Sequence, residues 1–330
     1  MVTLSAGRHA KLPRLRGPTR QPLSPSPAAT LADGRRFDTL RRTVLIAVVT
    51  FQFDPFAHVF GDLVVRWGTI ALAAVLIATL VLAGIQARGA GLHWGDVPFI
   101  VVGIVPGAIV GGRIGYALLH LDYYARTPDL LLDPSLGGLE LGLGVVGGVL
   151  TGAYLAGLLG TAVGRWLHVA TAPVLIALGA GKLTLVLTGS GQGAPSDAVW
   201  ATAYVGPGPW GSLAPALPSI PSQAFEGIAI LLILVGLTMA VGLGAFGRRD
   251  GRLFFVGIGL WALARAAVST TWRDPIAVAG LEAGGLIALG IAAGCLVVLL
   301  YLTVRGRRPA SSRDAPVEVS WPDPAARPRF

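Results

Sequence analysis

The sequence predicts an all-α fold, a polytopic membrane helical bundle of about seven transmembrane helices. Three observations carry this. The 330 residues are 53% hydrophobic and only 13% charged, against about 25% charge in a typical soluble domain. Seven apolar stretches are long enough for a hydrocarbon core about 30 Å thick, which takes about 20 helical residues. The basic residues between them fall mostly on one side, as the positive-inside rule asks of a multi-pass chain.

The expected spans are residues 68–87, 97–118, 139–160, 169–188, 224–245, 252–270 and 280–304. The first is uncharged and stops at Arg88. The second carries Arg113 in its interior, between glycines and Tyr116. The third has Glu140 near its start and is rich in glycine ("LGLGVVGGVLTG"), the small-residue pattern that lets helix backbones approach in lipid. The fourth holds Lys182 near its end and runs into "GSGQG". The fifth opens after "PSQAF" with Glu226, the sixth contains Arg265, and the seventh has Glu282 near its start. Cys295, the single cysteine, lies in an apolar run and excludes an intrachain disulfide or a cysteine metal site. It reads as a packing residue.

Most connections are short. The interval 189–223 is long, rich in Gly, Pro and Ser, and free of Lys and Arg, so it is expected to re-enter or cover a site. One set of loops holds Arg88, Arg165, Arg248, Arg249, Arg252, Arg305, Arg307 and Arg308; the other holds only Arg126 and Arg273. That bias puts the C-terminus in the cytoplasm and the start of the first span outside. Residues 1–42 and 305–330, basic and proline-rich, read as disordered tails flanking an integral-membrane domain at 43–304. They carry no folded nucleic-acid module, and proximity to anionic lipid is the reading for their charge. "TVLIAVVTF" (Thr43–Phe51) lacks a small-residue cleavage site, so it reads as a buried or interfacial segment rather than a signal peptide.

A charge at the bilayer centre costs at least about 2.5–3.5 kcal/mol on insertion scales, so those that persist pair, line a cavity or act. Two readings follow. In one, Arg113 and Glu226 form a buried pair joining helices. In the other, Arg113, Lys182 and Arg265 line a cavity for an anionic headgroup. Three cations against one nearby carboxylate favour the second, with Glu140 and Glu282 placed at an interface. Arginine supplies a rigid fork for phosphate and lysine a point charge. "GSGQG" frees backbone N–H groups but lacks the Lys-Ser/Thr ending of a nucleotide loop.

These residues resemble the prolipoprotein diacylglyceryl transferase family. "FDP" (Phe53–Pro55), "RWG" (Arg66–Gly68), "GGRIGYALL" (Gly111–Leu119), "GGLELGLGVVGGVLTG" (Gly137–Gly152), "GAGKL" (Gly179–Leu183) and "PSQAFEG" (Pro221–Gly227) occur in the family's order. An arginine-bearing sixth span follows. The resemblance implies a seven-helix bacterial inner-membrane enzyme without cofactor or metal. It would transfer diacylglyceryl from phosphatidylglycerol to a lipobox cysteine of a preprolipoprotein. On this sequence the implied catalytic residues are Lys182 and Arg265. The implied headgroup-binding residues are Arg113, Tyr116, Lys182, Gly189, Gly193, Ser222, Gln223, Glu226 and Arg265.

Several family positions are substituted. Val146 stands where the family has histidine, Lys182 where it has arginine, and Trp67 where it has tyrosine. Leu185, Thr188 and Ser190 replace two asparagines and a glutamate, and Ser269 replaces a glutamate. Arg273 reaches the register of a second family arginine only with a one-residue gap. The histidines (His9, His58, His93, His120 and His168) lie in the tail, at span ends or in loops. The alternative reading is therefore a diverged, inactive paralogue that binds anionic lipid or a membrane partner. A solute transporter would need an inverted repeat of broken helices, which is not visible.

Overall fold

The computed structural model describes residues 49–60, 63–133, 138–278 and 280–307. The expectation of disordered tails lies outside these residues, apart from 305–307, which continue the last helix. Among the described residues, seven helices are long and apolar enough to cross a membrane. They are α1 (Trp67–Gly89), α2 (Asp96–Leu119), α4 (Leu141–Leu158), α5 (Val163–Thr184), α6 (Ser222–Gly242), α7 (Arg252–Ser269) and α8 (Ala283–Arg307). Between α2 and α4 lies a short helix, α3 (Leu121–Arg126), and a 3-10 turn (Pro128–Leu132). The chain is a multi-pass helical membrane protein.

Most span ends agree with the sequence to within three residues. The fourth starts six residues early, at Val163 rather than 169. Arg165, Trp166 and His168 give this stretch the composition of a loop. In the structure Arg165 is exposed while Trp166 is buried in the bundle, so one helical turn serves both water and core. His168 accordingly sits on α5 and not in a loop.

The bundle is assembled by close backbone contacts. α2 and α4 are the most tightly packed pair. At their crossing, a Cβ on Gly107 or Gly147 would strike the other's carbonyl oxygen. Gly103, Gly107 and Gly111 recur every fourth residue along that face, the spacing that permits such an approach. α7 is the most enclosed span. Its Phe254, Ile258, Trp261 and Ala262 pack with Leu175 of α5, Ile230 and Leu237 of α6, and Ile291 and Cys295 of α8. α1, α2 and α8 carry exposed Leu, Ile, Val and Phe side chains, such as Ile85, Phe99 and Val297. In lipid such a surface needs no partner.

Alternation of the spans gathers the long connections at one end of the bundle and the short, arginine-bearing ones at the other. The loop-rich end adds what the helical periodicity could not show: among the described residues, three two-stranded ladders. β1 (Val49–Phe51) pairs in parallel with β4 (Thr202–Tyr204) in the 189–221 connection. β2 (Phe56–Phe60) and β3 (Leu63–Arg66) form a hairpin before α1. β5 (Ile276–Val278) and β6 (Leu281–Glu282) form another before α8. The end of "TVLIAVVTF" is thus an edge strand held by the long loop; the rest of that segment lies outside the described residues.

Candidate functional site

Four charged side chains meet where α5, α6, α7 and the start of α4 converge. Lys182 lies two residues before the end of α5, which tightens into a 3-10 turn (Leu185–Thr188) and stops at Gly189. Gly189 has φ 68°, a left-handed C-cap conformation suited to glycine. Glu226 lies on the first turns of α6, after Pro221 has set the helix start. Arg265 is one turn from the end of α7. Glu140 immediately precedes α4.

Glu226 is fully buried. It takes Lys182 Nζ at 2.8 Å on one oxygen and Arg265 Nη1 at 2.9 Å on the other. Arg265, also buried, reaches Glu140 with Nη2 at 3.2 Å. Glu140 caps α4: its two carboxylate oxygens accept from Gly142 N and Leu143 N, each at 2.7 Å. Its own N–H donates to Gly112 O of α2 at 2.8 Å. The free N–H groups and positive dipole end of α4 favour a carboxylate there. The network holds two cations and two anions, so it is formally neutral.

This corrects the charge count made from sequence. Glu140 is not an interfacial bystander; it is buried and completes the network. Arg113 is engaged elsewhere. Its Nε donates to Leu131 O at 2.7 Å, and Nη2 to Leu130 O and Asp133 O, each at 2.9 Å. Tyr116 and Tyr124 flank its guanidinium at 6.0 and 5.6 Å. Tyr116 also stacks on His120 at 4.1 Å. Arg113 and Tyr116 therefore organise the α3 connection, while Gly112 and Gly115 on α2 face Glu140. Glu226 pairs with Lys182 and Arg265, not with Arg113.

The remaining sequence candidates lie beside the network and under the long loop. Ser222 Oγ is 2.6 Å from Thr271 Oγ1. Gly193 N donates to Ile220 O at 2.7 Å, and a Cβ on Gly193 would collide with Ser222 and the Thr271 backbone. Gln223 is buried one turn before Glu226 on the same face of α6. Neither of its amide atoms has a hydrogen-bond partner among the described residues, and neither does Arg265 Nε. Buried polar groups are rarely left so.

Sequence reasoning missed the residues that build the cover. Arg273 Nε donates to Gly193 O and Nη2 to Ser219 Oγ, both at 2.6 Å. Gln192 Nε2 donates to Thr202 O at 2.9 Å. Tyr204 stacks on Phe51 and lies tilted against Trp210, with ring centroids 4.9 Å apart in each pair. The Tyr204 hydroxyl donates to Val186 O at 2.9 Å. Burial pushes its phenol up to about 12; the Gln223 amide, close by without good hydrogen-bond geometry, works against the rise. Trp272 lies under the Arg265 guanidinium at 4.7 Å. At β6, burial pushes the Glu282 carboxyl up to about 7, with the Asp274 charge adding to the rise. The legible signals were the aromatic spacing in 200–210 and the second arginine after the sixth span.

Val146 packs against the α5–α8 core, so the third span offers an apolar side chain there. A buried ion network beside orphaned donors can bind and orient a polar, anionic group at the rim of the hydrocarbon core.

Comparison with known proteins agrees with this architecture. The family model described as prolipoprotein diacylglyceryl transferase matches residues 55–301. Among curated proteins, the phosphatidylglycerol–prolipoprotein diacylglyceryl transferase of Geobacter sulfurreducens is 31% identical over 241 residues, covering 71% of this chain and 87% of that protein. The protein of the same name from Nitrobacter winogradskyi is 28% identical over 290 residues, covering 82% and 96%. That from Shewanella oneidensis is 30% identical over 278 residues, covering 78% and 94%. With a match over most of its length, this chain belongs to the prolipoprotein diacylglyceryl transferase family.

Proposed function

We propose that this protein transfers diacylglyceryl from phosphatidylglycerol to the lipobox cysteine of a preprolipoprotein, in a bacterial plasma membrane. The arginine-bearing end faces the cytoplasm together with the C-terminus, and the loop-rich end faces outward. The observation that carries the reading is the buried Lys182–Glu226–Arg265–Glu140 network with Arg265 Nε and the Gln223 amide left over. In the reaction a C–S bond forms as the diacylglyceryl C–O bond to phosphate breaks. Glycerol phosphate leaves with the electron pair, and the thiol proton ends on that released phosphate or in the surrounding water. Lys182 and Arg265 supply the positive field that steadies the departing phosphate. Arg265 Nε is the donor free for it, and Ser222 and Gln223 suit the glycerol hydroxyls. Glu226 holds both cations in register, and Gly189 and Gly193 shape the loop above. Arg113 and Tyr116 brace the adjoining connection at the rim.

A self-neutral network admits an anion only if a carboxylate yields. Glu140 is the one equipped to do so, because two backbone N–H groups keep it satisfied when Arg265 turns away. The test is expression in a strain depleted of its own transferase. Growth should be restored, and a reporter lipoprotein should gain the diacylglyceryl mass. No mass shift in membranes holding the protein would refute transfer.

The replacement of the family histidine by core-packed Val146 favours a second reading, a lipid-binding paralogue without turnover. That reading predicts retained phosphatidylglycerol and no mass shift in the same membranes.

A further inference from the structure

α4 is pressed against α2 but only sparsely against α5. The divergence leaves a groove of about 470 Å³ between them. On α4 it is lined by Val145, Val149 and Ala153, and on α5 by Leu167, Ala170 and Val174. These are i, i+4 and i, i+3 series, so each helix turns one apolar stripe to the groove. One end is Glu140, which is bonded to Arg265. The other is Trp166, which is buried.

We propose that this groove is the slot for one acyl chain of the lipid substrate, with Trp166 as the floor that sets chain length. The identity of the lipid rests on the transferase reading; the slot itself does not. Three features commit the occupant. Glu140 belongs both to the groove and to the charged network, so a headgroup there leaves its chain at the mouth. The groove's open flank carries exposed Val105 and Ile109 of α2, which faces bilayer hydrocarbon. And the length fits. From Glu140 to Ala156, which also lines the groove, the helix rises about 24 Å at about 1.5 Å per residue. Carbon–carbon bonds of about 1.5 Å advance about 1.3 Å per atom in a zigzag, so about 18 carbons span it. The recess between α1 and α2, about 600 Å³ and lined by Leu80, Ile85 and Val101 among others, shares no residue with the network and lacks that continuity.

The experiment uses the full-length protein, purified and equilibrated with equal amounts of dimyristoyl- and distearoyl-phosphatidylglycerol. Retained lipid is read by mass spectrometry. Ala153→Phe and Ala170→Phe fill the lower groove from opposite walls. Each should cut distearoyl retention about tenfold relative to dimyristoyl, the weight of two or so displaced methylenes. Trp166→Ala should shift preference toward diarachidoyl lipid. Leu150→Phe, on the exposed face of α4, should keep the wild-type ratio. If both groove variants keep the wild-type ratio, the slot is refuted while phosphatidylglycerol binding stands. If the chain-length shift appears equally with phosphatidylethanolamine, the slot stands and headgroup selection fails. Retention of no lipid by the wild type overturns the slot.

Discussion

Glu226→Gln should destabilise this protein through the two cations it strands. Glu226 is fully buried and pairs with Lys182 at 2.8 Å and Arg265 at 2.9 Å. Removing one member of a buried pair costs about 3–5 kcal/mol, because the other charge stays uncompensated. Arg265 retains Glu140 at 3.2 Å, so the burden falls mainly on Lys182, and the low end, about 3 kcal/mol, applies. At about 2 °C per kcal/mol, the low end that suits a folded part of about 250 residues, Tm should fall by about 6 °C. Lys182→Met leaves the network one negative charge in excess. The double variant restores neutrality as a simple Arg265–Glu140 pair. Its Tm should therefore lie above that of Glu226→Gln alone. The assay is thermal unfolding in one detergent, across the full double-mutant cycle. A Glu226→Gln shift under about 2 °C, or strict additivity in the double variant, would refute the neutral-network argument.

Glu140→Ala should lose both a helix cap and an ion pair, a larger drop than the ~1 kcal/mol typical of a cap alone; Glu140→Gln, which keeps an acceptor, should recover part of the loss in the same unfolding assay. Arg113→Ala should speed amide hydrogen exchange in residues 120–133 and leave the Lys182–Glu226 coupling energy unchanged; loss of that coupling would place Arg113 in the network after all. Burial, and then the Asp274 charge, push the Glu282 carboxyl from the ordinary carboxylate value of 4.5 up to about 7. The stability linked to it is full below pH 4.5 and declines as pH rises to about 7. Glu282→Gln should flatten that part of the Tm–pH profile, and an unchanged slope would count against the shift. Gly147→Ala places a methyl against the Gly107 carbonyl and should cost about 1–3 kcal/mol by overpacking.

The helical part of this fold was legible because lipid imposes one rule on every span. Twenty apolar residues with all backbone groups bonded internally read alike wherever they lie. The rule fails where a helix leaves the hydrocarbon. Arg165, Trp166 and His168 look like loop to a hydropathy count, yet α5 begins before them. It fails again for Val49–Phe51, a strand only because Thr202–Tyr204 lies alongside. Neither strand has the length or alternation to announce itself, and their pairing joins residues about 150 apart in the chain.

The site was legible as a set of residues but not as a set of partners. Intramembrane Arg, Lys and Glu stand out because lipid makes them costly. Which of them meet depends on helix rotation, and rotation follows from packing. Gly112 and Gly115 turn toward Glu140, which carries Arg113, one residue past Gly112, toward the α3 connection instead. The same glycines make room for Glu140 to fold over the start of α4, where two backbone N–H groups hold it. A carboxylate immediately before a glycine-rich helix is the sequence trace of that cap. Once Glu140 is counted, the apparent excess of cations vanishes, and what marks the place as a site is no longer net charge. Beside the network, Arg265 Nε and the Gln223 amide are buried without a hydrogen-bond partner among the described residues, and such a deficit exists only in three dimensions.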